Sequence, residues 1–138
     1  MIFGAIRNLE KLQTVLNGDF DENTMTGGME KCFNEIKNDF SNSKVGFVIT
    51  HDPFTYDAEG NFESYYERIK EVCDKWEVSY LDLYAKNNSD TGVNVRDDDM
   101  RKLYFGSESK PDGDGTHPNK FGYQAIYVEP MIPWLKSL

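Results

Sequence analysis

Basic residues are scarce in this sequence. Lys and Arg total 15 against 24 Asp and Glu, a formal net charge of −9. Such a surface repels nucleic-acid backbones, so direct DNA or RNA binding is not expected. A basic partner is allowed, including a protein whose own task is to bind nucleic acid. Cysteine is equally sparse. Cys32 and Cys73 lack metal-ligand spacing, and each falls on the apolar stripe of an expected helix. Reduced core thiols are the better reading, with a disulfide left open. No apolar run is long enough to span a bilayer. The opening MIFGAIRNLEKLQ lacks the basic flank and long apolar stretch of a signal peptide. A soluble, cytoplasmic protein is expected. There is no internal repeat and no low-complexity segment.

What is present is patterned apolar sequence. The 138 residues are 38% hydrophobic and 14% aromatic, which suits one domain over 1–138 with a modest core and is too apolar for disorder. MIFGA, ended by Gly4, fits a short buried strand. Leu9, Leu12 and Leu16 suit a short helix or an irregular crossover. Met29, Cys32, Phe33, Ile36 and Phe40 form one helical stripe. KVGFVIT reads as a strand covered on both faces and ended by Asp52-Pro53. NFESYYERIKEVCDKWE has the strongest stripe, from Phe62 through Tyr66, Ile69 and Cys73 to Trp76, with Asn61 as N-cap. VSYLDLY is a third strand. Residues 85–116 read as a polar loop with one apolar patch at Leu103, Tyr104 and Phe105; a loop of that length is functional or mobile. The last helix starts at the N-cap Asn119 and carries Phe121, Ala125, Val128, Ile132 and Leu135, and Pro130 should break or kink it. The alternation predicts an α/β fold with a short parallel sheet of about three strands, right-handed crossovers and helices on both faces.

The chemistry concentrates in DGDGTHPNKFGYQ. Asp114 precedes His117 by three residues in a glycine-rich turn. A short Asp side chain can curl back onto its own His there. A carboxylate accepting from one ring nitrogen fixes the tautomer and stabilises the charged ring, as a general base requires. The pair also follows the last strand, where reactive groups gather in open α/β sheets. The plain alternative is a polar turn whose His packs locally. His51, just after a strand, could line a site, with a surface or locally bonded role preferred. DFDENTMTGGME places Asp19, Asp21, Asn23 and Glu30 with calcium-loop spacing, but Thr24 stands at the glycine position and Thr26 at the apolar one. An acidic crossover loop that caps the next helix is preferred. Asp97, Asp98 and Asp99 read as a solvated charge run. No metal site and no cofactor is expected.

DGTHPNKFGYQ followed by an apolar terminal helix resembles the C-terminal motif of the SGNH hydrolases, the GDSL-type lipases and acylhydrolases. KVGFVIT and FESYYERIKEVCDKWEVSYLDLY are similar to the second half of that fold, so the resemblance runs from about Lys44 to Leu138. It implies a three-layer, flavodoxin-like arrangement, Asp114 as the orienting acid and His117 as the base of a Ser-His-Asp triad. It also implies oxyanion donors: Gly4 matches the glycine region. A gapless alignment puts Arg7 at the family's asparagine, and a one-residue slip makes Asn8 the donor; an ordinary strand-end turn is the alternative. The departure is the nucleophile. The family's serine lies in Gly-Asp-Ser after the first strand. This chain has Gly18-Asp19-Phe20 and Gly113-Asp114-Gly115 instead. None of its eight serines (Ser41, Ser43, Ser64, Ser79, Ser89, Ser107, Ser109 and Ser137) follows an N-terminal strand and opens a helix.

The expectation is therefore a truncated or degenerate esterase that keeps the Asp-x-x-His dyad, lacks an evident nucleophile and is inactive alone. Without the first strand, MIFGA would be a bare sheet edge, so a homodimer or a protein partner covering it is expected. The rival expectation is a non-enzymatic, acidic interaction or inhibitor protein, of the kind mobile elements encode against basic nucleic-acid-handling enzymes. An active hydrolase that borrows a serine from another chain, or uses Ser107 or Ser109, is the third.

Overall fold

The computed structural model describes residues 20–51, 62–87 and 92–138. The expected first strand, the 9–16 crossover and the cap Asn61 lie outside them. The described elements are α1 (Met25–Asp39), β1 (Gly46–Ile49), α2 (Phe62–Lys75), β2 (Ser79–Asp82), α3 (Leu83–Asn87) and α4 (Asp98–Phe105). A terminal helix follows, built from α5 (Lys120–Tyr123), a π-helical turn (Gln124–Val128) and α6 (Glu129–Ser137). Among the described residues, β1 and β2 pair in a two-stranded parallel sheet, so the fold is mixed α/β. Within β1 only Ile49 is buried, and Phe47 and Val48 are half-buried. Among the described residues, no helix is long and apolar enough to cross a membrane.

The chain divides into two compact units, Met1–Phe47 with Glu63–Tyr80, and Val48–Phe62 with Leu81–Leu138. In the first, Thr24 begins α1: its Oγ1 accepts from the Gly27 N–H at 3.0 Å and donates to the Asp21 carbonyl at 2.8 Å. Asp21 Oδ1 accepts from the backbone and side chain of Asn23. The calcium-like stretch is thus a self-bonded capping turn. Glu30, at its twelfth position, is fully buried and takes Lys75 Nζ at 2.5 Å and Trp76 Nε1 at 3.3 Å. A buried carboxylate needs such partners, because desolvation alone would cost several kcal/mol.

The α1 and α2 stripes meet in a core of Phe20, Phe33, Val72, Cys73, Trp76 and Val78, with Trp76 packed at a tilt against Phe20 and edge-on to Phe33. Two residues assigned to the stripes depart from expectation. Cys32 is exposed while Cys73 is buried, and both are free thiols; burial pushes the Cys73 thiol up to about 11. Phe40 is exposed at the end of α1, where its N–H caps the Ile36 carbonyl.

The second unit has its own core of Val93, Val95, Phe105 and Ile126. The expected polar loop contains α3 and α4. Asp97 is not merely solvated: its carboxylate accepts from the Met100 N–H at 2.9 Å and caps α4. Asp98 pairs with Arg101 on the same helix, and Phe105 turns into the core while Leu103 stays exposed. In the terminal helix, Pro130 does not break the chain of helical turns. The widened turn before it bonds the Glu129 N–H to the Gln124 carbonyl, five residues back, and this absorbs the strain of a residue without an N–H. The inward face also differs from the expected stripe. Ile126, Gly122 and Pro130 are buried, whereas Phe121, Val128, Ile132 and Leu135 are exposed. Gly122 sets this: a Cβ there would lie 2.2 Å from the Tyr104 carbonyl.

Candidate functional site

The site sits between α4 and α5, in the second unit. The turn starts where Ser107 and Lys110 exchange backbone hydrogen bonds at 3.0 and 3.2 Å, and the Gly113 N–H donates to the Lys110 carbonyl. Gly113 and Gly115 then adopt φ of 73° and 67°. That left-handed backbone suits glycine, and a Cβ at Gly113 would also meet the Arg101 carbonyl at 2.5 Å. On the far side Asn119 closes the turn. Its Oδ1 accepts from the Phe121 and Gly122 N–H groups, while Nδ2 donates to the Leu103 carbonyl at 2.8 Å and the Gly106 carbonyl at 3.0 Å. One side chain therefore caps α5 and fastens it to the end of α4.

Between these clamps, Asp114 folds back onto His117. Oδ1 accepts from the Thr116 N–H at 2.9 Å and from the His117 N–H at 2.8 Å. Oδ2 lies 2.9 Å from His117 Nδ1. Lys110 Nζ stands 3.5 Å from the same oxygen. Burial by itself pushes the Asp114 carboxyl up. The His117 backbone N–H, the His117 ring and the Thr116 N–H outweigh it and hold the group well below the ordinary carboxylate range. An ionised Asp114 accepts the proton of Nδ1, which leaves the lone pair of the neutral ring on Nε2. The Asp114 side chain is 18% exposed and the His117 side chain 82% exposed. The carboxylate is sheltered and the imidazole open to a reactant.

Beneath the turn lies a second histidine. His51, 6% exposed, follows β1 and is neither a surface residue nor bonded locally. Its Nδ1 lies 2.6 Å from the hydroxyl of Tyr127, a residue of the π-helical turn. Its ring packs against Phe105 and edge-on to Tyr127. Burial lowers its pKa to about 4, against the pull of the Thr116 carbonyl, so the ring is neutral at pH 7. Burial likewise raises the Tyr127 hydroxyl. Sequence reasoning did not single out Tyr127. The available signal was its spacing of four from Tyr123, whose ring it meets at 5.7 Å.

Gly4 and Asn8 lie outside the described residues, as does Ser89. Ser107 and Ser109 bond each other at 3.3 Å. Among the described residues, His117 makes its hydrogen bonds to Asp114 alone, and no group of His, Cys, Asp and Glu could hold a metal. A cleft of about 380 Å³ lies beside Met100, Tyr104, Ile126 and Glu129, but neither histidine nor Asp114 lines it. No protein family, curated protein or solved structure matches the chain.

Proposed function

We propose that the Asp114–His117 turn is the acid–base half of an acyl-transfer site, on a truncated or degenerate SGNH-type esterase that is inactive alone. The observation that carries this reading is the two-sided use of Asp114. One oxygen fixes the backbone of the turn and the other holds Nδ1 at 2.9 Å. In ester cleavage a hydroxyl attacks the carbonyl carbon and its proton passes to His117 Nε2. Asp114 stays ionised and stabilises the imidazolium. The proton then goes to the leaving alkoxide. The hydroxyl, and the oxyanion donors proposed at Gly4 and Asn8, belong to segments outside the described residues or to another chain. The three-layer, flavodoxin-like arrangement is part of the same proposal.

The test is p-nitrophenyl acetate hydrolysis by the full chain, with His117→Ala beside it and a fluorophosphonate label as the probe for serine. The account expects no label and only a slow release from the open imidazole, lost in His117→Ala. A positioned base is worth about 10²–10⁴-fold in a complete site, so release at that level with a labelled serine would show the chain to be whole. Equal release from the wild type and His117→Ala would overturn the base assignment.

A second reading, a protein that works by binding another protein, is favoured by the exposed stripe of the terminal helix. Phe121 is 66% exposed, with Ile132 and Leu135 about half exposed along the same helix. We take a second copy of this chain as its occupant, since the bare sheet edge expected from the sequence calls for the same partner. Large apolar side chains exposed along one helix of an acidic chain suit an interface.

A further inference from the structure

We infer that the cleft between α4 and the terminal helix is a binding site for a small apolar molecule that carries an ammonium group. The cleft holds about 380 Å³, and all of its walls belong to the second unit. That volume falls within the range of small-molecule pockets, about 300–1,000 Å³. Neither Asp114 nor His117 lines it, so the inference stands independently of the acid–base pair. α4 gives Met100 and Tyr104, and the terminal helix gives Ile126, Glu129, Pro130 and Pro133. Ile126 and a further wall residue, Val93, belong to the buried core of the unit. A wall of core residues and prolines is set before a ligand arrives, so little side-chain entropy is lost on contact. The π-helical turn supplies Ile126, and such turns recur at functional sites.

The polar lining decides what such a ligand carries. Three of the lining side chains bear a nitrogen or oxygen: Lys86, Tyr104 and Glu129. The Met100 sulfur already accepts from the Asn94 N–H. Lys86 has a partner within the chain. Among the described residues, neither the Glu129 carboxylate nor the Tyr104 hydroxyl bonds to another group. A carboxylate only accepts, and a phenolic oxygen accepts as well as donates. Two acceptors on one cleft call for a donor-rich group. An ammonium offers three N–H donors and the charge opposite to that of Glu129. A tyrosine ring beside the same site suits a cation as well. The net charge of −9 draws a ligand of that sign toward the chain. Glu129 is exposed at the rim of the cleft, so the ammonium sits at the mouth and the apolar body against Val93 and Ile126.

The experiment titrates the full-length chain by calorimetry with phenethylamine. Phenethyl alcohol and hydrocinnamate serve as neutral and anionic probes with a similar apolar body. The amine should bind about tenfold tighter than the alcohol, as expected of a charge-assisted hydrogen bond at a partly exposed site. Hydrocinnamate should bind weakest. Glu129→Gln, a change on an exposed side chain, should remove the preference and leave the affinity for the alcohol unchanged. General attraction of a cation to an acidic surface would survive the loss of that one charge. Ala125→Phe, which fills the cleft from a half-buried lining position, should abolish binding of all three probes. If that variant does not fold, amide shifts in the wild type decide. The amine should move Val93, Tyr104 and Ile126, and shifts confined to other residues overturn the inference. It is also overturned if the amine binds no tighter than the alcohol, if hydrocinnamate binds tightest, or if Glu129→Gln keeps the preference.

Discussion

Two histidines share one unit of this protein, and the carbon skeleton around each decides what its proton does. His117 is open and leans on a carboxylate; His51 is enclosed by Phe105 and Tyr127. The buried ring has a consequence for stability. Its ordinary pKa of 6.5 in the unfolded chain drops to about 4 in the fold, because burial disfavours the charged ring. Unfolding therefore takes up a proton between those values. The stability His51 contributes is fully present above pH 6.5 and is lost as pH falls through 4, about 3 kcal/mol in all. Urea midpoints measured against pH should show this loss, and His51→Gln should flatten it. Asp114, whose carboxyl is depressed, adds a further loss only below the ordinary carboxylate range. At this scale the sequence was half legible. The D-x-x-H spacing foretold the contact between Asp114 and His117, since both partners lie in one turn. Nothing local could foretell His51 meeting Tyr127, because the two are 76 positions apart and only the fold joins them.

Among the elements, the hinge of the site is the junction between α4 and α5, and Asn119 is its fastening. Asn119→Ala removes a cap and two bonds to carbonyls at the end of α4. The expected cost is about 2–3 kcal/mol, read as a lower urea midpoint at unchanged slope. His117 sits two residues away, so its amide should lose protection in the same variant. The asparagine was readable as an N-cap because the cap motif is local. Its second role was hidden, since Leu103 and Gly106 belong to a stretch that seemed to be loop. The signal for α4 was present in Asp97 ahead of Met100 and Phe105, but three adjacent acids resemble a charge run more than a cap. α1 and α2 came through clearly because their stripes are long and regular. The terminal stripe misled for a physical reason. A π-helical turn inserts one extra residue per turn, so a spacing that lines up on an ideal helix no longer names the buried face.

For the molecule as a whole, charge and exposed apolar surface pull in different directions. A net charge of −9 favours separation, while the exposed apolar side chains Phe121, Val128, Ile132 and Leu135 favour association. Light scattering should return twice the 15.9 kDa chain mass, falling to one chain in Ile132→Glu with the fold retained. A monomeric wild type would remove the second-copy reading. The turn in DGDGTHPNKFGYQ was legible because it demands particular residues, two of them glycines at positive φ. No serine stands in the setting that the sequence led one to expect. The central claim is that Asp114 sets the tautomer of His117, and nitrogen-15 NMR at pH 8 on wild type and Asp114→Asn tests it most directly. Asparagine can still accept the two backbone N–H groups through its oxygen, but it turns an N–H₂ toward Nδ1. The account predicts Nδ1–H in wild type and a switch to Nε2–H in Asp114→Asn. An Nε2–H tautomer in both proteins would contradict it.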